Sequence, residues 1–323
     1  MDYGLNLKDR KETDFTGMDI GVIIHSVLEN FFKDREKYDL TNTEIETIVN
    51  KIIDEILSSD QRIQAITEKS SVAILNRIRK ECVVVCKYLV DRLKYTKFRP
   101  YKFEYAFGSN GVNPIEINAK DKTIKFIGKI DRIDKYEDRV IIIDYKTGHV
   151  DVSGFESVYL GKKIQLFTYL AALIKQNPTL KPAGVYYQPI LFKYELESPL
   201  TDRIKCVGNT NASKQVVELV DYTALEGKST LIGGLETNKD GSFSKKAEKI
   251  MLSDEEFEKV CKYVDTLVQN ACEQIIDGNI LASPTDGACN YCSYKNVCGF
   301  DKEQGRKVSE ITKETIIEAI DEC

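Results

Sequence analysis

At about Arg99 the hydrophobic period of this 323-residue chain switches from helix to strand, and after residue 160 it switches back. Before the switch, residues 17–35 set Ile20, Ile23, Ile24, Val27, Leu28, Phe31 and Phe32 at helical spacing on one apolar face. Residues 41–60 open on Thr41-Asn42-Thr43-Glu44, a capping box, and continue as an amphipathic helix. Residues 62–95 carry Cys82, Val85, Cys86, Leu89 and Leu93 on a further helical face. Cys82 and Cys86, one turn apart, read as small buried apolar side chains. After the switch, YKFEYAF, KTIKFIGKIDRID and RVIIIDYKT predict three adjacent strands, with turns at 109–113 and 135–138. Helical period returns over 161–176, a strand is predicted over 182–192, and the polar stretch 199–250 reads as loops and short elements. Ser253-Asp-Glu-Glu opens a long helix to about Gly278, followed by a Cys-containing loop and a polar tail with a short helix around 310–320. The expected fold is α/β, one mixed sheet with helical additions.

Composition narrows the function classes. An apolar fraction of 42% supplies a core and excludes a wholly disordered chain. Lys and Arg number 46 against 51 Asp and Glu, a net charge of −5, which excludes a generally basic nucleic-acid binder but leaves room for a local basic cleft. No apolar run reaches about 18 residues, so no membrane contact is expected. The N-terminus lacks a signal-peptide core. The nine cysteines then point to reduced thiols in a cytoplasm. Two histidines leave no basis for a His-rich zinc site.

The chemistry concentrates in Gly128-Lys-Ile-Asp131-Arg-Ile-Asp134 and Ile141-Ile-Ile-Asp144-Tyr-Lys146-Thr-Gly148. A tight turn between them lays Asp131 and Asp144 on neighbouring strands, where two carboxylates can share a divalent cation. Hard oxygen donors suit Mg²⁺ or Mn²⁺. Lys146 is two residues past Asp144 and so shares its face. Asp144 ends the buried run 140–143, a costly place for a carboxylate that is neither paired nor metal-bound. Such a site suits phosphodiester hydrolysis: the metal lowers the pKa of a water and neutralises developing charge, and Lys146 holds the water or the phosphate. A lone D-x-K would read as a hairpin with surface ion pairs; the paired strand motif favours the site.

These residues resemble the PD-(D/E)xK nuclease core in its RecB-type form. Gly21-x-x-x-His25-x-x-x-Glu29 is similar to the family's helical motif, whose His reaches the metal, and Gln165-Leu-Phe-Thr-Tyr169 to its Q-x-x-x-Y motif beside the nucleic acid. The resemblance implies a restriction-endonuclease-like core. It implies His25, Asp131 and Asp144 as metal ligands and Asp131, Asp144, Lys146, Gln165 and Tyr169 as catalytic residues. Glu104, on the first strand, is a further candidate near the metal; Glu29 and His149 read as structural.

Cys289-x2-Cys292-x5-Cys298 can reach one metal centre, and soft sulfur suits an iron–sulfur cluster or Zn²⁺. Both want four ligands and only three are local; Cys206, Cys261, Cys272 and Cys323 are candidates by proximity in sequence alone. Iron–sulfur RecB-type nucleases carry three such cysteines downstream and one upstream, which together hold a [4Fe–4S] staple. No cysteine precedes Cys82 here, so the chain reads as a C-terminal portion starting just after the first ligand, with an incomplete cluster and a looser region beyond 285.

The long helix and cysteine run are similar to AddB-type nuclease domains. That likeness implies a DNA exonuclease domain over 1–300 (helical part about 17–95, core about 99–195, C-terminal helix and cysteines about 253–300), followed by a polar tail over 301–323. It further implies an AddA-like helicase–nuclease partner in double-strand-break processing. No Walker A pattern is present, so no ATPase is expected within this chain. The alternatives are a stand-alone RecB-like exonuclease, including the CRISPR-adaptation type, and a non-catalytic DNA- or protein-binding scaffold.

Overall fold

In a computed structural model, the branched apolar run at 140–143 becomes a buried central strand. The structure describes residues 17–33, 35, 37–59, 72–108, 114–148, 150, 154–190, 204–285, 287–301 and 311–321. The turn expected at 109–113, His149 and Cys323 lie outside these residues. The chain divides into two compact units. The first comprises Met1–Lys94, Tyr145–His149 and Gln188–Ile204; the second comprises Tyr95–Asp144, Val150–Tyr187 and Lys205–Cys323.

The strands among the described residues are β1 (Arg99–Phe107), β2 (Ile115–Ala119), β3 (Lys122–Phe126), β4 (Gly128–Tyr136), β5 (Arg139–Lys146), β6 (Lys181–Pro189), β7 (Val207–Asn211) and β8 (Met251–Leu252). Six of them form one mixed sheet in the order β1-β4-β5-β6-β7-β8. β4 runs antiparallel to both β1 and β5. β6 runs alongside β5 in the same direction: Lys181 N–H donates to Asp138 C=O at 2.8 Å near one end, and Ile190 N–H to Lys146 C=O at 3.0 Å at the other. The expected three-strand stretch differs in one respect. KTIKF is not continuous with GKIDRID; it folds back on β2 as a separate hairpin, and the main sheet, begun by β1, resumes at Gly128. Alternation within each piece is the same whichever partner the strand takes, so spacing alone does not separate them.

The helices are α1 (Gly17–Phe32), α2 (Asn42–Ser59), α3 (Val72–Arg92), α4 (Phe155–Tyr159), α5 (Gln165–Gln176), α6 (Lys214–Val220), α7 (Lys245–Glu248), α8 (Asp254–Ile276) and α9 (Lys313–Asp321). In the second unit, α5 is the crossover between β5 and β6. Val140, Ile142 and Val185 of the sheet pack with Phe167, Leu170 and Leu173 of α5, Phe257, Val260 and Val264 of α8, and Ile316 of α9. Ser253 and Glu256 form a reciprocal capping box that starts α8, and Gly278, at φ +69°, follows its end. The Arg139 guanidinium donates to the Asp254 carboxylate at 2.6 and 2.9 Å, and the Asn211 amide donates at 2.6 Å, so the first turn of α8 is tied to β5 and β7. The segment 204–250 is built from short elements around the buried Asp221. Its carboxylate accepts from Thr223 N–H and Oγ1, Ser229 Oγ and Leu231 N–H.

In the first unit, α1, α2 and α3 bury Ile24, Val27, Leu28, Phe31, Val49, Ile53, Cys82 and Cys86. The capping box at Thr41 forms as expected: Glu44 accepts from Thr41 N–H at 2.7 Å, and Glu44 N–H donates back to Thr41 Oγ1 at 3.3 Å. Burial pushes the Cys82 thiol up to about 12 and the Cys86 thiol well above its ordinary value, in keeping with a packing role. Among the described residues no helix is long and apolar enough to cross a membrane.

Candidate active site

Strand register builds the site. Between β1 and β4, Phe103 pairs with Arg132 and Tyr105 with Ile130, which leaves Glu104 beside Asp131. Carboxylate oxygens of Glu104 and Asp131 lie within 4.8 Å of one another. Between β4 and β5 the ladder runs to Arg132↔Ile143, and Asp131 and Asp144 are the next residues on their strands. Glu104 and Asp131 therefore meet across β1 and β4, and Asp144 follows the last paired position on the next strand. Asp131 is 9% exposed and Asp144 3%. The neighbouring charges of β4 are already matched, since Arg132 donates to both oxygens of Asp134 at 2.5 and 2.7 Å.

Glu104 has φ +45°, the left-handed region, in a residue that is not glycine. Such a conformation costs on the order of 1–3 kcal/mol and persists where surrounding structure imposes it. The Lys129 ammonium pairs with the Glu104 carboxylate. Burying adjacent carboxylates is unfavourable unless positive charge balances them. The donor set, all hard oxygen, fits a divalent cation of the Mg²⁺ or Mn²⁺ kind.

The helix side of the site comes from the start of α5. Gln165 Nε2 donates to the Tyr169 hydroxyl at 3.0 Å. Tyr169 packs edge-on against Phe107, with ring centroids 5.7 Å apart. Gly128 is what allows this. A Cβ there would stand 2.5 Å from Phe107 Cζ and 3.2 Å from Tyr169 Cε1. The glycine that opens the strand motif thus seats the tyrosine of the helix motif.

Tyr187 on β6 is a member of the site that sequence reasoning missed. Val185 and Tyr187 alternate on the sheet face that also carries Val140 and Ile142. The same alternation puts Asp144 on that face, and the β5–β6 hydrogen bonds bracket Tyr187 beside it. Burial pushes the Tyr187 phenol up, and the charges of Asp144 and Tyr169 add to the effect, so its hydroxyl stays protonated. The only sequence signal was its place two residues after Val185 in a predicted strand.

In the first unit, Lys146 is the last residue of β5, two residues beyond Asp144. His25 of α1 meets the ring of Tyr145 edge-on, with centroids 5.5 Å apart. A Cβ on Gly21 would be 3.4 Å from Thr147 Cγ2, so the first turns of α1 lie directly on the stretch after Asp144. Within the first unit the G-x-x-x-H motif is therefore packed on Tyr145 and Thr147. Glu29 forms an i,i+4 ion pair with Lys33 at 3.6 Å.

The cysteines lie elsewhere. Cys289 is half-buried, and Cys292 and Cys298 are exposed. They sit on successive turns: Cys292 N–H donates to Cys289 C=O at 3.4 Å, and Cys298 N–H to Tyr294 C=O at 2.9 Å. Among the described residues these three thiols do not form a group within 4.8 Å of one another. Cys206, Cys261 and Cys272 are buried. Burial pushes the Cys261 thiol far up, and its sulfur faces Phe167 C=O at 3.8 Å, a packing environment.

The family model of the PD-(D/E)XK nuclease superfamily matches residues 1–299. Among curated proteins, the chain is similar to the B subunits of the ATP-dependent helicase/deoxyribonucleases of Thermoanaerobacter sp. (strain X514) and Acetivibrio thermocellus. Each is 30% identical over 93% of this chain and 28% of its own length. The corresponding protein of Lachnoclostridium phytofermentans is 30% identical over 98% of this chain and 30% of its length. The chain spans less than a third of the length of the curated relatives it matches.

Proposed function

The chain belongs to the PD-(D/E)XK nuclease superfamily, and on that premise we propose that it is the DNA-hydrolysing portion of an AddB-type helicase–nuclease, a divalent-metal-dependent exonuclease. The observation that carries this reading is the approach of Glu104 to Asp131, with Asp144 at the next register position of the neighbouring strand and Lys146 two residues further on. Asp131 and Asp144 would hold Mg²⁺ or Mn²⁺, with Glu104 and His25 as further ligands. Once bound, the cation supplies charge neutralisation and a more acidic water.

The other roles fall to residues of the chain. The Lys146 ammonium holds the attacking water or the scissile phosphate as a point charge. Tyr169, held by Gln165, lines the approach of the strand. Residues 1–300 would act as one nuclease domain, with 301–323 outside the reaction. Cys289, Cys292 and Cys298 are assigned as three of four ligands of a [4Fe–4S] staple that takes no part in hydrolysis; a fourth ligand and closure of the turns would be needed. The partner would be an AddA-like helicase–nuclease in the cytoplasm. A net charge of −5 suits a module that is fed DNA by a motor rather than capturing it by its own field.

The test is cleavage of end-labelled single-stranded DNA with Mg²⁺ or Mn²⁺, wild type beside Lys146→Ala. Metal-dependent shortening that is lost in the variant is the expected result, and the end that shortens first reports polarity. Equal cleavage by both proteins would overturn the assignment. DNA binding without cleavage by either, with the helicase partner present, would favour the scaffold reading.

A further inference from the structure

Beside Tyr187 a cleft of about 70 Å³ opens in the second unit. Buried Phe155 and Phe167, half-buried Tyr187, and Lys163 and Lys249 are among its lining residues. Among the described residues, no Asp or Glu lines it. In a chain of net charge −5 this is a local reversal of sign, next to the strand position of Asp144. Tyr187 belongs to both: its ring lines the cleft, and its strand position is beside Asp144. The volume corresponds to roughly five water-sized spheres, room for part of one flat ring and too little for a base pair.

Aromatic surface combined with lysine is the chemistry that holds single-stranded nucleic acid. Any base stacks on an aromatic side chain, and ammonium groups take the phosphates. We propose that this cleft is a single-nucleotide subsite of the nuclease: the base next to the scissile phosphate packs on Tyr187, and the phosphate beyond it is held by Lys163 and Lys249. The cleft would thereby present one strand, already separated from its complement, to the carboxylates. The proposal rests on the nuclease reading and adds to it a strand preference and three residues.

Its test does not depend on catalysis. Binding of a dye-labelled oligothymidylate to the whole chain is followed by fluorescence anisotropy in EDTA across a range of salt. Lys163→Ala/Lys249→Ala should weaken binding about tenfold and flatten the salt dependence by about 0.7 in log–log slope for each phosphate no longer neutralised. Tyr187→Phe should bind as wild type, because the ring remains, whereas Tyr187→Ala should lose at least about fivefold. The double lysine variant should bind blunt duplex DNA as wild type does. Unchanged oligothymidylate affinity and salt slope in the double variant would overturn the subsite, and so would an equal loss on duplex. Wild type and Lys146→Ala assayed in parallel for cleavage separate the two ideas: no metal-dependent cleavage by either, with the helicase partner present, removes the nuclease reading, whereas the anisotropy series judges the cleft alone.

Discussion

Asp131 and Asp144 lie at successive register positions of neighbouring strands and are nearly without solvent, a setting in which a divalent cation is a favourable ligand. A divalent ion that binds only the folded chain should therefore stabilise it through mass action. Thermal unfolding with and without Mn²⁺ checks this. The wild type should gain melting temperature with Mn²⁺, whereas Asp144→Asn should show little gain. An equal Mn²⁺ effect on both proteins would refute a metal site at Asp144. Gly128 permits a different test. A methyl at this position would meet the Phe107 ring at 2.5 Å. Gly128→Ala should therefore cost about 1–3 kcal/mol as overpacking, read by urea unfolding, and should slow cleavage by displacing Tyr169. The glycine's presence was legible in the motif, but its reason was not, because Phe107 and Tyr169 are distant in sequence and meet it only across the sheet.

Helix α8 shows how a local signal and a long-range contact share one turn. Its start was readable from Ser253-Asp-Glu-Glu, and the structure closes that turn as a capping box. Ser253→Ala should cost about 1 kcal/mol, measured by chemical denaturation. The adjoining contact of Asp254 with Arg139 and Asn211 was not readable, since the three residues come from different elements. Burial pushes the Asp254 carboxyl up, but the hydrogen bonds from Arg139 and Asn211 outweigh it and hold the group below its ordinary value. A folded-state pKa below the unfolded value means that this contact stabilises fully above about pH 4 and loses its effect as pH falls through the folded pKa. Arg139→Ala should accordingly destabilise the chain at pH 7, and the gap to wild type should close below about pH 4 in urea titrations run at each pH. A gap independent of pH would count against the assignment. The capping box at Thr41 was legible for the same reason as the start at Ser253: both act within one turn. The division of KTIKF from GKIDRID was not, because the two pieces alternate alike and differ only in the strand each one joins.

At the scale of the molecule, burial sorts the described cysteines into two populations. Cys82, Cys86, Cys206, Cys261 and Cys272 are buried, whereas Cys292 and Cys298 are exposed and Cys289 is half-buried. Thiol reagents need the thiolate and access to it. Brief labelling of the native chain at neutral pH, followed by peptide mass spectrometry, should mark Cys289, Cys292 and Cys298, with the five buried thiols reacting only after denaturation. Rapid native labelling of Cys82 or Cys86 would contradict the packed helical core of the first unit. Because the chain spans less than a third of its curated relatives, activity assays belong beside a partnered sample as well as the chain alone.

Sequence by itself determined what acts over short range. The helical faces of α1 and α2 follow from apolar spacing, and the two capping boxes from residues three apart. The common face of Asp144 and Lys146 follows from the two-residue period of a strand. It also determined the chemistry on offer, hard carboxylate oxygens with an ammonium close by. Tertiary structure decided which side chains share a place. Glu104 reached Asp131, and Tyr187 reached the side of Asp144, through strand order and register. Strand pairing joins residues tens of positions apart, and no local spacing rule specifies which strands become neighbours or what covers them.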